Sequence, residues 1–218
     1  MSDGKPPAAG STPAVSSIRL LSTMGGAGAL AGLLIVLAYQ FTLPSILANR
    51  AERLERAILE VVPGSTAYEP LYEVAGALKE TPPPGVDGND LSKIYAAVDQ
   101  TGTLKGYAIP ASATGFADVV DIIFGFDPGK PGTLGLVIVN SRETPGLGDK
   151  VEAPAWRAQF DDAGIPLVGV KAGQAQKPEE VEMVTGATIT SRTVIGAINK
   201  ALERWKPLID AHRVGGGS

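Results

Sequence analysis

Hydrophobic positions along the chain change their rhythm three times. From Leu20 to Leu43 they run almost without a break, and no residue between Arg19 and Arg50 is charged. Twenty-four residues at helical rise extend roughly 36 Å, enough to cross a hydrocarbon core of about 30 Å with some tilt. The pattern therefore predicts a transmembrane helix. A cleaved signal peptide is the competing reading, because "MGGAGALAG" offers small residues to a peptidase. It fits less well, since the apolar run outlasts a signal core and continues past those residues.

Beyond Pro44 the apolar positions thin out to helical spacing. Leu47, Leu54, Ile58, Leu59 and Val62 share one side while Arg50, Glu52, Arg53, Glu55 and Arg56 take the other. This predicts a second helix opened by Pro44 and stopped by "PGS". The Pro/Gly cluster "KETPPPGVDGND" marks a loop, after which the period falls to that of a strand. "KIYAAVD", "LKGYAIPA", "ADVVDIIFGFD" and "GTLGLVIVN" read as four strands, the first two joined by the hairpin turn "QTG". A loop, "SRETPGLGDK", a helix, "APAWRAQFDDAG", and a short strand, "IPLVGVK", come next. From Thr190 the apolar stripe Val194, Ile195, Ile198, Ala201, Leu202, Trp205 and Leu208 predicts a long amphipathic helix. Strands in a run followed by helices describe an α+β domain, an antiparallel sheet with packed helices. The expected division is a disordered tail (1–17), the transmembrane helix (18–43), a helical connector and loop (44–90), the α+β domain (91–211) and a flexible C-terminal tail ending in "GGGS" (212–218).

Composition narrows the chemistry. There is no cysteine, which removes disulfides, thiolate-held iron–sulfur clusters and a catalytic thiol together. The one histidine, His212, lies near the C-terminus and gives neither a haem ligand pair nor a metal cluster. A net charge of -4 with no basic run argues against nucleic acid. Lys5 and Arg19 on one side of the apolar span and Arg50, Arg53 and Arg56 on the other leave its orientation undecided by charge. Gly26, Gly28 and Gly32 imitate a dinucleotide-binding loop, but no strand precedes them and the setting is membrane; close helix packing accounts for them better.

The word "VTGATITSRTV" gathers four threonines and a serine just before the last helix. One reading is capping, with Thr190 or Ser191 as N-cap and Thr185-Gly186 in a turn. The other is an anion site: a helix start presents free N–H groups and partial positive charge to a phosphate, Gly186 and Ala187 allow close approach, and Thr188 supplies a hydroxyl. No base adjoins that hydroxyl in sequence, so a bond to it would be made by another enzyme. The loop "RETPGLGDKVE" carries a turn dipeptide, Pro145-Gly146, and a second permissive residue, Gly148.

Together these words resemble the covalent-FMN-binding domain family, found in the G subunit of the Rnf electron-transport complex and the C subunit of the sodium-translocating NADH:quinone oxidoreductase. "EMVTGATITSRTV" is similar to the family's flavinylation motif and "ETPGLG" to its second loop, in the same order and at the family's spacing. "GFADVVDIIFGFD" resembles the strand that follows a glycine–aromatic turn, and the single N-terminal span matches the family's architecture. The likeness covers about Leu20 to Leu208. Glu182 stands where the motif has Asp, and Ala117 and Asp118 where the turn has glycines. The resemblance implies an FMN-binding domain holding FMN by a phosphoester to Thr188, with Thr185, Gly186 and Ala187 shaping the turn. It implies that Glu143, Thr144, Gly146, Leu147 and Gly148 line the ring and that Lys171 stands near the cofactor.

In function, the resemblance implies a membrane-anchored electron-transfer subunit, in lipid, working with integral-membrane and redox subunits and matured by a flavin transferase. The flavin domain is then expected outside the cytoplasmic membrane, and net turnover is expected from the whole complex. Two other classes compete: a flavin-based assembly or redox-sensing module, and a hydrolase with a Thr or Ser nucleophile, which lacks a histidine base.

Overall fold

The computed structural model describes residues 17–215. The expected tail at 1–17 lies outside them save for its last residue, and 216–218 lie outside as well. By its contacts the chain divides into two units, one up to Arg50 and one from Ala51 onward. The first is helical throughout its described part, and the helix α1 (Ser17–Val61) is long and apolar enough to cross a membrane. Pro44 lies inside α1 and does not open a second helix as expected.

The second unit is built on a six-stranded antiparallel sheet of order β2-β1-β3-β4-β5-β6. Its strands are β1 (Ala67–Val74), β2 (Ala77–Lys79), β3 (Lys93–Val98), β4 (Leu104–Thr114), β5 (Val119–Phe126) and β6 (Thr133–Asn140). The last four are the strands the pattern predicts. The first two are a correction, because the pattern over 44–90 predicts only helical connector and loop. Two short parallel strands, β7 (Val168–Val170) and β8 (Glu180–Glu182), stand apart, and α3 (Thr188–Gly215) closes the chain. Residues 212–215 are therefore helical, not tail.

Both faces of the sheet are covered, which explains why β3 to β5 read as nearly continuous apolar runs. On one face Ile94, Tyr107, Ile109, Ile122 and Phe124 meet the α3 stripe Val194, Ile198, Leu202, Trp205 and Ile209. On the other, the end of α1 puts Ala57, Ile58, Val61 and Val62 against Tyr95, Ala97, Ala108, Ile123 and Leu134. Small residues let that helix end lie close. A Cβ on Gly125 would fall 1.8 Å from the Val61 carbonyl oxygen, and one on Gly106 would fall 2.9 Å from a Leu134 methyl.

The β3–β4 turn is fixed by Asp99. Its Oδ1 accepts from the Thr101 hydroxyl (2.6 Å), the Thr101 N–H (2.8 Å) and the Thr103 N–H (3.0 Å), and Lys105 pairs with Oδ2 at 2.9 Å. The Thr101 hydroxyl, then Lys105 and the turn's N–H groups, hold this carboxyl well below the usual range. The carboxylate's contribution is thus fully present above the unfolded value of about 3.9 and fades as pH falls toward the folded one. Thermal melts of wild type and Asp99→Asn should differ most at neutral pH and converge under acid. A gap that does not vary with pH would contradict this.

Candidate functional site

Three segments distant in sequence meet at the start of α3. The first is the turn Gly115–Asp118 between β4 and β5, closed by the Gly115 N–H donating to the Asp118 carbonyl at 2.8 Å. The second is the loop after β6, running through Glu143 into a 3₁₀ turn (Gly148–Glu152). The third is the run from β8 into α3. Its approach is clamped at Glu182, whose carbonyl accepts from the Trp156 indole N–H at 2.8 Å and whose N–H donates to Gln159 at 2.8 Å. Trp156 lies on α2 (Pro154–Arg157), so the short helix after the loop orients the threonine motif.

Phe116, Leu147, Gly148, Gly186, Ala187, Thr188, Ile189 and Thr190 enclose a cleft of about 290 Å³. Phe116, Leu147 and Ile189 are exposed large hydrophobic side chains, so one wall is apolar and open to solvent. The cleft also borders the N-terminus of a 28-residue helix, whose first amides have no acceptor within the helix. Gly186 there has φ +87°, a conformation that favours glycine, and Lys150 places Nζ 3.3 Å from where a Gly186 side chain would begin. Apolar wall, free amides and a cation suit a flat ring bearing a phosphate.

The sequence-predicted residues separate into groups. Leu147, Gly148, Gly186, Ala187 and Thr188 come together on the cleft. Thr144, Gly146 and Thr185 are exposed on the adjoining turns and do not line it. Lys171 is exposed just past β7 and does not line it either. Glu143 lies behind the cleft, 6 % exposed, with its carboxylate turned inward.

Thr190 and Ser191 are not the N-caps the composition pointed to, because α3 already begins at Thr188. Both are buried. Ser191 accepts from the Val184 N–H at 3.1 Å and donates to the Ala187 carbonyl at 2.9 Å, while Thr190 donates to Glu143 at 3.3 Å. Thr188 is exposed, its hydroxyl reaching only the Val184 carbonyl at 3.4 Å. His212 is 24 residues further along the same helix, roughly 36 Å away, so it gives Thr188 no base. Two site residues escaped the sequence reading. Phe116 was visible as the aromatic of the "GFAD" turn, and Lys150 as a cation closing the "GLGDK" loop.

Residues 115–203 match a family model described as an FMN-binding domain. The chain is 32% identical over 177 residues to the G subunit of the ion-translocating oxidoreductase complex of Pseudomonas aeruginosa, covering 78% of this chain and 79% of that protein. It is 26% identical over 185 residues to the protein of that name in Methanosarcina acetivorans, covering 85% and 92%. With the C subunit of the Na(+)-translocating NADH-quinone reductase of Yersinia pestis it shares 27% over 143 residues, 62% of this chain but only 51% of the relative. The crystal structure of Shewanella oneidensis NqrC superimposes with a TM-score of 0.60 at 19% identity, over 77% of this chain and 99% of that one, a likeness of fold.

Proposed function

Since the chain belongs to the FMN-binding domain family that includes the G subunits of ion-translocating oxidoreductase complexes, we propose that it is a membrane-anchored electron-transfer subunit carrying FMN covalently on Thr188. One observation carries the reading: the loop residues Leu147 and Gly148 and the motif residues Gly186, Ala187 and Thr188 wall a single cleft at a helix N-terminus. Neither word alone required the other to be near. Bound FMN supplies the chemistry, accepting and passing on electrons one at a time.

The chain's own residues bind and orient. Thr188 holds the phosphate by a phosphoester, the first amides of α3 and Lys150 offset its charge, and the positive-φ turn at Gly186 lets the backbone approach it. Phe116, Leu147 and Ile189 would supply apolar contact to the ring, in a cleft open enough to solvent for a partner's carrier to approach. Thr144, Gly146 and Thr185 shape the adjoining turns, and Lys171 adds positive charge nearby. With no cysteine and one terminal histidine, the chain exchanges electrons with groups carried by other subunits of a membrane redox complex.

A separate flavin transferase forms the bond. α1 crosses the bacterial cytoplasmic membrane once through surrounding lipid and leaves the flavin domain on its outer side. The full chain purified from its native membrane, denatured and run on a gel, should fluoresce as flavin. A colourless, non-fluorescent band from cells competent in flavin transfer would overturn the reading.

A further inference from the structure

Glu143 does not face the cleft, yet it touches every segment that forms it. Its Oε1 accepts from the backbone N–H groups of Ala117 (3.1 Å) and Asp118 (3.4 Å), at the tip of the β4–β5 turn. Its Oε2 accepts from the Thr190 hydroxyl at 3.3 Å, in the first turn of α3. Its own backbone belongs to the loop that supplies Leu147 and Gly148. The carboxylate is also gripped by two glycines: a Cβ on Gly115 would lie 2.1 Å from Oε1, and one on Gly148 would lie 2.1 Å from Oε2. Neither glycine has a positive φ. At Gly115 the carboxylate is the nearest obstacle, with the Asp118 carbonyl oxygen next at 3.1 Å; at Gly148 the Glu143 Cβ, 2.7 Å away, excludes a side chain together with the carboxylate.

A buried carboxylate is costly unless its oxygens are satisfied, and hydrogen bonds to an ionised acceptor are stronger than neutral ones. Here both oxygens are used, and the negative charge lies near the positive end of α3. The same segments also meet in the apolar core, where Val120, Val151, Ala187 and Val194 are buried in one cluster, but Glu143 is the polar side chain that bonds to the turn and to the helix start at once. We propose that Glu143 is a positioning residue, the internal clasp that fixes the Phe116 turn, the Leu147-Gly148 loop and the Thr188 helix start at one spacing, so that the cleft exists before any ligand enters. The proposal rests on the reading of this cleft as the FMN site, but the clasp is a property of the protein without flavin.

The test is hydrogen exchange on the full-length chain in detergent, in a Thr188→Ala background that carries no covalent cofactor. Glu143→Ala should speed exchange of the Ala117 and Asp118 amides roughly tenfold or more. Glu143→Gln keeps an acceptor for those amides and should restore most of the protection. With Thr188 intact, flavin bound to Glu143→Ala should show raised mobility by fluorescence anisotropy and a shifted visible band, again recovered in Glu143→Gln.

Gly115→Ala guards against a simple folding defect. It should be strongly destabilising alone and much less so combined with Glu143→Ala, which removes the atoms its methyl would strike. Unchanged exchange at Ala117 and Asp118 in Glu143→Ala, or strict additivity of Gly115→Ala and Glu143→Ala, would overturn the clasp. A wild-type chain without flavin would overturn the FMN reading while leaving the exchange result to stand.

Discussion

Thr188→Ala should give a folded protein with no covalent flavin. The side chain is exposed at the first position of α3, and its hydroxyl makes one long contact, 3.4 Å to the Val184 carbonyl. Alanine is the better helix former, so stability should stay within about 0.5 kcal/mol of wild type. The flavin fluorescence that survives denaturation should disappear entirely. Thr188→Ser keeps a hydroxyl at the same place and should keep a measurable fraction. Mass spectrometry of the tryptic peptide containing position 188 should find the added mass of FMN less water in wild type and none in Thr188→Ala. Full flavin content in Thr188→Ala would move the attachment elsewhere.

Gly125→Ala should be the most damaging single methyl addition in the domain. Its Cβ would lie 1.8 Å from the Val61 carbonyl oxygen and 2.8 Å from the Val61 carbonyl carbon. Those are backbone atoms of α1, locked between Ile58 and Val62, both fully buried, so no flexible side chain can move aside. Overpacking of this kind costs about 3 kcal/mol, which in a domain of this size lowers the melting temperature by roughly 6 to 12 °C. Gly196→Ala is the matched control, because nothing lies within 4 Å of its Cβ position on the exposed side of α3. It should raise stability slightly through helix propensity. Equal melting temperatures for the two variants would mean that the end of α1 does not pack on the sheet as described.

The elements legible in the sequence are those whose period is uninterrupted. β3 to β6 and α3 each bury a regular set of positions, and their limits fall within a few residues of the pattern. β1 was hidden by Pro70, which normally argues against a strand. It is tolerated because β2 is only three residues long and pairs only with Tyr72 to Val74. Pro70 thus has a partner on one side, in β3, and needs no N–H on the other. The β1–β2 turn was hidden too. Ala75 and Gly76 both take positive φ, 52° and 78°, the conformation usually announced by Asn-Gly.

At the site, the words were legible and the orientations were not. "ETPGLG" marks a loop beside a cofactor without saying that Glu143 turns inward while Leu147 turns outward. That distinction depends on the Ala117 and Asp118 amides and on Thr190, which lie some 25 to 47 residues away. The same holds for Thr190 and Ser191. They look like caps in a linear word, yet a helix starting two residues earlier makes them buried ties.

The clamp at Glu182 bears on the order of events in biogenesis. Trp156 and Gln159 grip the peptide just ahead of the threonine motif, and Ser191 grips Val184 within it. A segment held in this way is not a free peptide that another enzyme could thread through its own active site. On the proposed reading, the flavin transferase meets a finished surface on which Thr188 is exposed. On that reading folding precedes cofactor loading, and the cofactor goes to copies whose clamp at Glu182 has already formed.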